Sequence, residues 1–378
     1  MYIHEQSDWP LFRWRDEELS AQLADVRHRQ GRLIGRMEAL GFPLQAEAVL
    51  ATLTQDVLKS SEIEGEILPA DQVRCSIARR LGMDVGGVAA VDRHVDGVVE
   101  MMLDATRNYQ APLTRDRLFD WHAALFPTGR SGIRQISVGA WRNDATGPME
   151  VVSGPLGREK VHFRAPKADR LDAEMMAFLT WLNDPSRIDP VLRAGLAHLW
   201  FVTIHPFDDG NGRIARAIAD LALARSEKSA QRFYSMSAQI RIERNDYYKA
   251  LERAQRGTLD ITSWLAWFLG CLGQAIDGAE DILSGVLRKA RFWETHGTAP
   301  LNERQLMMVN RLLDGFEGKL TSSQWAKLAK CSQDTALRDI NALIERGVLR
   351  RDEAGGRSTG YLLSAPNDDS DGREHAES

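Results

Sequence analysis

Residues 205–216 read HPFDDGNGRIAR, placing an imidazole, two carboxylates, a Gly-Asn-Gly string and two arginines in one turn between apolar stretches. Upstream, residues 190–204 (PVLRAGLAHLWFVTI) repeat apolar side chains at helical spacing, with Asp189 placed as an N-cap and Pro190 at the first helical position. That pattern predicts a buried helix. Downstream, residues 213–225 (RIARAIADLALAR) are rich in Ala, Leu and Ile, so the glycines sit where a loop feeds a second helix. The first turn of a helix presents unpaired N–H groups and partial positive charge, and glycines let the backbone approach an anion. The stretch therefore reads as a phosphate cradle. Arg213 and Arg216, three apart, lie near one helical face from which both guanidiniums reach a polyphosphate. Asp209 is placed to hold the hard cation that accompanies such a ligand.

The same string satisfies the pattern H-x-F-x-[D/E]-G-N-G-R-x-x-R at every specified position, and on these residues the chain resembles the Fic-domain proteins. The resemblance implies a mainly α fold, a helical bundle with a small β-hairpin flap. It also implies transfer of AMP from ATP, with Mg²⁺, to a Ser, Thr or Tyr hydroxyl of a target protein. Roles follow by position: His205 as general base, Asp209 as Mg²⁺ ligand, and Gly210, Asn211 and Gly212 as the phosphate-binding loop. Arg213 would be a further phosphate contact, Arg216 would take the terminal phosphate, and Phe207 would anchor the loop in the core. Asp208, at a variable position, reads as a cap for the following helix, and His198 as a satisfied core histidine. A zinc or di-iron reading of His198, His205, Asp208 and Asp209 is the alternative, but it leaves the glycines and arginines unexplained.

A second stretch, residues 53–69, reads LTQDVLKSSEIEGEILP. Leu53, Val57 and Leu58 share a helical face, which Gly65 and Pro69 bring to an end. Ser60, Glu64 and Gly65 match the family's inhibitory pattern [S/T]-x-x-x-E-[G/N]. By resemblance, Glu64 would pair with Arg216 and occupy the guanidinium fork that ATP needs, with Ser60 orienting the helix end. Glu62 and Glu66 lack a following glycine, so Glu64 is the choice among the three. A solvated acidic face is the plainer reading of the same residues.

The 378 residues, 43% hydrophobic with a formal net charge of -5, leave room for two or three domains and carry no global nucleic-acid signal. No segment reaches the length of a membrane span, and no basic-then-apolar leader opens the chain. Cys75, Cys271 and Cys331 are scattered without pattern, so the cytoplasm is the expected compartment. Near the N-terminus, Trp9, Phe12 and Trp14 read as packing anchors ahead of a helix capped by Asp16. This opening is similar to an extension found on one subgroup of Fic proteins. Helices are expected over 84–103 and 113–126, the latter with His122 in a structural role. Between 128 and 166 the texture turns to Gly, Pro, Val and Ile, with strands around Val151 and 161–163 joined by a turn at 154–157. Val161, His162 and Phe163 are the flap residues that the resemblance implies would register a target strand. Tyr247 and Tyr248 are candidates for an adenine wall, with half-buried packing as the alternative. Residues 261–276 and 278–296 are expected as two helices.

After a boundary at 297–300, helices over 302–313, 322–328 and 332–346 precede two short strands, a pattern that resembles a winged helix-turn-helix. Thr335, Arg338 and Asn341 would lie on its recognition helix, and Arg350, Arg351 and Arg357 at its wing. The expected domains are 1–110 with an inhibitory helix at about 53–66, a core of 111–296 with a flap at about 139–164, a winged helix over 297–365, and an acidic disordered tail over 366–378. The winged helix leaves DNA, protein and homodimer contacts open. Two other functions stay open with it: a DNA-binding regulator with a nucleotide-sensing site, and a reversed reaction in which Glu64 positions a water to remove AMP.

Overall fold

The structure, a computed structural model, describes residues 1–83, 91–145, 147–154, 158, 160–296, 301–313, 315–316, 319–352 and 359–364. In chain order the first helices are α1 (Asp16–Glu38), α2 (Phe42–Ile63), α3 (Ala70–Arg80), α4 (Arg93–Arg107) and α5 (Arg115–Leu125). Two small antiparallel hairpins follow, β1 (Arg130–Ser131) with β2 (Arg134–Gln135), then β3 (Glu150–Ser153) with β4 (Lys160–Arg164). Next come α6 (Leu171–Asn183), α7 (Pro190–Ile204), α8 (Asn211–Glu227), α9 (Met236–Ile242), α10 (Arg244–Arg256) and α11 (Thr262–His296). The last elements are α12 (Glu303–Leu313), α13 (Ser322–Leu328), α14 (Gln333–Glu345), β5 (Leu349–Arg351) and β6 (Tyr361–Leu363). The fold is mainly α, and its described residues fall into two compact units, 1–83 with 91–280, and those from Asp281 on.

In the first unit α7 and α8 pack together at the centre. Both are buried around most of their circumference, which is the signature of a core helix rather than a surface one. Asp189 caps α7, accepting the Val191 N–H at 2.8 Å. α2 packs against α3, α4, α8 and α9, so the helix carrying Ser60 and Glu64 lies against the helix carrying both motif arginines. Trp9 and Phe12 pack on Trp200 at 6.3 and 5.7 Å between ring centres, in the anchoring role expected of them.

In the second unit, α12, α13, α14 and the β5–β6 hairpin close around Trp325, Met308, Ile340 and Leu343. Ser332 caps α14, and Gly347, at a φ of 70°, turns the chain out of its end. Arg338 and Asn341 are exposed on α14, as are Arg350 and Arg351 on β5. Arg357, the tail over 366–378, the turn at 155–157, the boundary at 297–300 and the helix start at 84–90 lie outside the described residues.

Several expectations need correction. Asp16 is not a cap but the first residue of α1, and its carboxylate accepts from the Trp14 indole at 2.8 Å. With Glu17 and Glu18 it complements the positive end of the helix. Residues 261–276 and 278–296 form one helix, because a glycine inside a helix costs only about 1 kcal/mol and Ile276 and Ala279 are both buried. The β1–β2 hairpin went unanticipated, since two-residue strands leave no period-two signal. Among the described residues no helix is long and apolar enough to cross a membrane.

Packing in the first unit is tight enough to discriminate glycines. A Cβ at Gly97 on α4 would stand 1.8 Å from the Ala124 carbonyl oxygen, whereas one at Gly31 on α1 meets nothing within 4 Å. Urea unfolding is therefore expected to show Gly97→Ala destabilised by about 1–3 kcal/mol and Gly31→Ala unchanged or stabilised by up to about 1 kcal/mol.

Candidate active site

α7 ends at Ile204, and His205 turns out of it in the left-handed region with a φ of 53°, a conformation uncommon for residues other than glycine. Its Nδ1 bonds the Val202 carbonyl at 3.2 Å. A carbonyl only accepts, so Nδ1 carries the proton and Nε2 keeps its lone pair. Burial pushes the ring's pKa down to about 4, with the Val202 bond and the Glu64 and Asp209 carboxylates opposing and Arg142 assisting. At neutral pH this imidazole is uncharged, the form that general base catalysis requires.

The rest of the loop is held from several sides. Phe207 is fully buried and stacks on His122 with ring centres 4.2 Å apart. His122 donates through Nε2 to the Asp209 carbonyl at 3.2 Å and accepts the Gly139 N–H at Nδ1. The Asn211 side chain accepts the Phe207 N–H at 3.0 Å and donates to the Phe207 carbonyl at 2.8 Å. Asn211 thus closes the loop with its side-chain amide, and its main-chain N–H lies in the first turn of α8. Asp208 does not cap α8, contrary to expectation. The N-cap is Gly210, at a φ of 81°, and Asp208 accepts the Ser137 N–H at 2.9 Å instead. Asp209 accepts the Gly210 N–H at 2.6 Å and the hydroxyl of Ser131 from β1. Both of these donors are neutral, and a carboxylate so placed suits a hard cation.

α2 brings Ser60, Glu64 and Gly65 to this loop. Glu64 caps the C-terminal end of α2, and Gly65, with a φ of 84°, turns the chain away. Glu64 Oε1 lies 2.8 Å from Arg216 Nη2. Arg216 also donates from Nε to the Ser60 hydroxyl at 2.9 Å and from Nη2 to the Ser60 carbonyl at 2.8 Å. Its Nη1 is buried without a hydrogen-bond partner. A Cβ added to Gly212 would stand 2.2 Å from Glu64 Oε1 and 3.3 Å from that Nη1. A carboxylate therefore rests over the first turn of α8, where the backbone favours an anion. Burial is the largest single influence and works against the charge of Arg216, but Glu64, Tyr247 and Tyr248 together leave the pKa raised.

Glu66, passed over in the sequence, is engaged as well. It accepts from Arg213 Nη1 at 2.9 Å and from His94 Nε2, while His94 Nδ1 donates to the Leu125 carbonyl at 3.0 Å. Both ring nitrogens face oxygen, and the Glu66 bond raises the His94 pKa. Glu66 lies just past the left-handed turn at Gly65, so no regular spacing in the sequence tied it to Arg213.

Other candidates land differently. His162 is the extra residue of a bulge in β4, with Val152 opposite Val161 and Val151 opposite Phe163. Arg256 donates to the carbonyls of Val161 and His162 at 2.8 and 2.9 Å, and Phe163 is buried against Tyr2 and His4. Tyr247 is buried beside Trp264 and Trp267 and shares a 2.9 Å hydrogen bond with His198, so its ring fills the core. Tyr248 is half-buried under Arg244, and both tyrosines lie near enough to Arg216 to bear on its charge. Among the described residues no group of three or more His, Cys, Asp or Glu comes together for a metal, and His198 faces the core. The zinc and di-iron alternative falls with that geometry.

Burial is the leading cause that lowers His122 and His205 to about 4 and His198 to about 3, from 6.5. A histidine held neutral in the folded state contributes stability that is full above 6.5 and is lost as pH falls toward the folded value. The urea midpoint is expected to drop between pH 7 and pH 5, and less steeply in His198→Gln. A flat profile over that window would contradict these ring environments.

With this geometry in hand, two family profiles match the chain: the Fic/DOC family over residues 112–223, and a domain of unknown function (DUF4172) over residues 2–83. A protein adenylyltransferase Fic of Nematostella vectensis is 35% identical over 114 residues, 30% of this chain and 25% of that protein. One of Drosophila yakuba is 35% identical over 105 residues, 27% of this chain and 20% of that protein. The chain thus spans a quarter or less of the length of these relatives. Among solved structures, a Fic family protein from Desulfovibrio desulfuricans G20 superposes with a TM-score of 0.50 at 21% identity, covering 92% of this chain and 96% of that one. A Fic domain containing signaling protein from Bacteroides thetaiotaomicron VPI-5482 gives 0.51 at 20% identity, covering 69% and 98%. Motif, helical fold and family profile agree that residues 112–223 carry a Fic/DOC domain.

Proposed function

We propose that the chain is a protein adenylyltransferase held inactive by Glu64. The observation that carries this reading is the Glu64 carboxylate over Gly212, paired with Arg216 at 2.8 Å: an anion already lies where a phosphate would. The names of the relatives support the reaction class, and the unpartnered Nη1 of Arg216 supports a site with capacity for a further acceptor.

In the proposed reaction a Ser, Thr or Tyr hydroxyl of the target attacks the α-phosphorus of ATP. The new O–P bond forms as the bond to pyrophosphate breaks, and the hydroxyl proton passes to His205 Nε2. The first-turn N–H groups of Asn211, Gly212 and Arg213, with Gly210 ahead of them, would cradle the phosphates, and Arg216 would take the terminal one once Glu64 withdraws. Asp209 would hold Mg²⁺, which supplies charge neutralisation on the phosphates. Val161 and His162 would register the target strand, with Phe163 as the buried anchor of the flap. Tyr247 fits better as support for His198 and Arg216 than as an adenine wall. We read the second unit as a winged helix whose exposed Arg338, Arg350 and Arg351 offer a contact face. Removal of AMP by a Glu64-positioned water is less favoured, because that carboxylate is engaged by Arg216 at Oε1.

ATP labelled at the α-phosphate, with Mg²⁺ and cell extract, tests the reading. Glu64→Gly is expected to label protein, itself included, at least about tenfold more than the wild type, and His205→Ala not at all. Equal labelling by wild type and Glu64→Gly would remove the inhibitory role, and labelling by His205→Ala would remove the base.

A further inference from the structure

We infer that Arg142 is a positioning residue for this reaction, its guanidinium holding the main chain of His205 in the turn that presents the ring. The inference rests on the reading of His205 as the base and adds a residue that lies outside the 205–216 string.

Arg142 lies between β2 and β3 and is 3% exposed. Every arm of it is engaged. Nε donates to the His205 carbonyl at 2.8 Å, Nη1 to Asp144 Oδ1 at 2.8 Å, and Nη2 to the Pro166 carbonyl. Its own N–H donates to the Pro206 carbonyl at 2.9 Å. Asp144 is in turn fixed by the Ala168 N–H at 2.7 Å. One residue thus holds two consecutive carbonyls at the exit of α7.

That exit needs holding. His205 has a φ of 53°, in a region costly for a side chain with a Cβ, and it precedes Pro206, whose ring restricts the residue before it. Without the fork, the backbone would relax and swing the imidazole, and displacements of an ångström at a reacting group cost large factors in rate. A lysine cannot replace the fork, since one ammonium on a flexible stem cannot hold the His205 carbonyl, Asp144 and the Pro166 carbonyl together. The cation also sits where it disfavours protonation of the ring. Asp144 and Asp208 face Arg142, while Glu64 and Asp209 face His205, so removing Arg142 leaves acids alone around the imidazole.

The test places Arg142→Met and Arg142→Lys in a Glu64→Gly background and reads steady-state AMP transfer together with an NMR titration of the His205 ring. Expected are a fall in kcat of about tenfold or more with KM for ATP changed less than about twofold, and a His205 pKa higher than in the Glu64→Gly parent, since the cation that opposes protonation is gone. Arg142→Lys should recover part of the titration shift but little of kcat. An unchanged kcat and an unchanged titration in a folded variant would overturn the inference, as would a parallel loss in kcat and KM with the ring pKa unmoved. If Arg142→Met does not fold, Arg142→Lys decides by the same two readings. If the Glu64→Gly parent transfers no AMP, the reaction reading fails, and the titration alone still decides whether Arg142 sets the state of His205.

Discussion

Arg216 cannot be buried without an anion. Its side chain is 1% exposed, and a guanidinium in that position is tolerable only when paired and hydrogen-bonded. Ser60 satisfies part of it, and the Glu64 carboxylate supplies the charge. The architecture follows from that need: α2 must reach α8, Gly65 must turn the chain beyond Glu64, and Gly212 must lack a side chain where the carboxylate rests. Charge compensation is therefore exchangeable in principle, one anion for another, and the proposed inhibition by Glu64 rests on that exchange.

The Glu66 bonds extend the same logic to Arg213. Two acids around one glycine engage both motif arginines, and His94 ties Glu66 to the end of α5 through the Leu125 carbonyl. The His205 ring is held differently, by geometry and desolvation. His205 is fixed at Nδ1 and along its backbone, leaving Nε2 as its free acceptor.

The helical core and the loop were legible because they rest on local physics. Residues 190–204 carry their own cap, proline and apolar period, and they became α7 with those bounds. The stretch 205–216 was legible because its chemistry is contiguous, and Ser60, Glu64 and Gly65 because they form a short pattern of their own. What escaped notice acts across distance. Arg142 and Ser131 reach the loop from the segments after α5, with no spacing that ties them to His205 or Asp209. Asp208 misled because an acid before a helix usually caps it, yet here Gly210 makes the turn. Tyr247 misled because an aromatic near a nucleotide motif suggests stacking, while burial beside Trp264 assigns it to the core.

The central claim, that Glu64 occupies an anion site shared with ATP, is tested most directly by calorimetric titration of Mg-ATP into the wild type, Glu64→Gln and Arg216→Met proteins. The account predicts binding at least about tenfold tighter in Glu64→Gln, a difference of about 1.4 kcal/mol, and no such gain when Arg216→Met is added to it. Equal affinity of wild type and Glu64→Gln for Mg-ATP would contradict it.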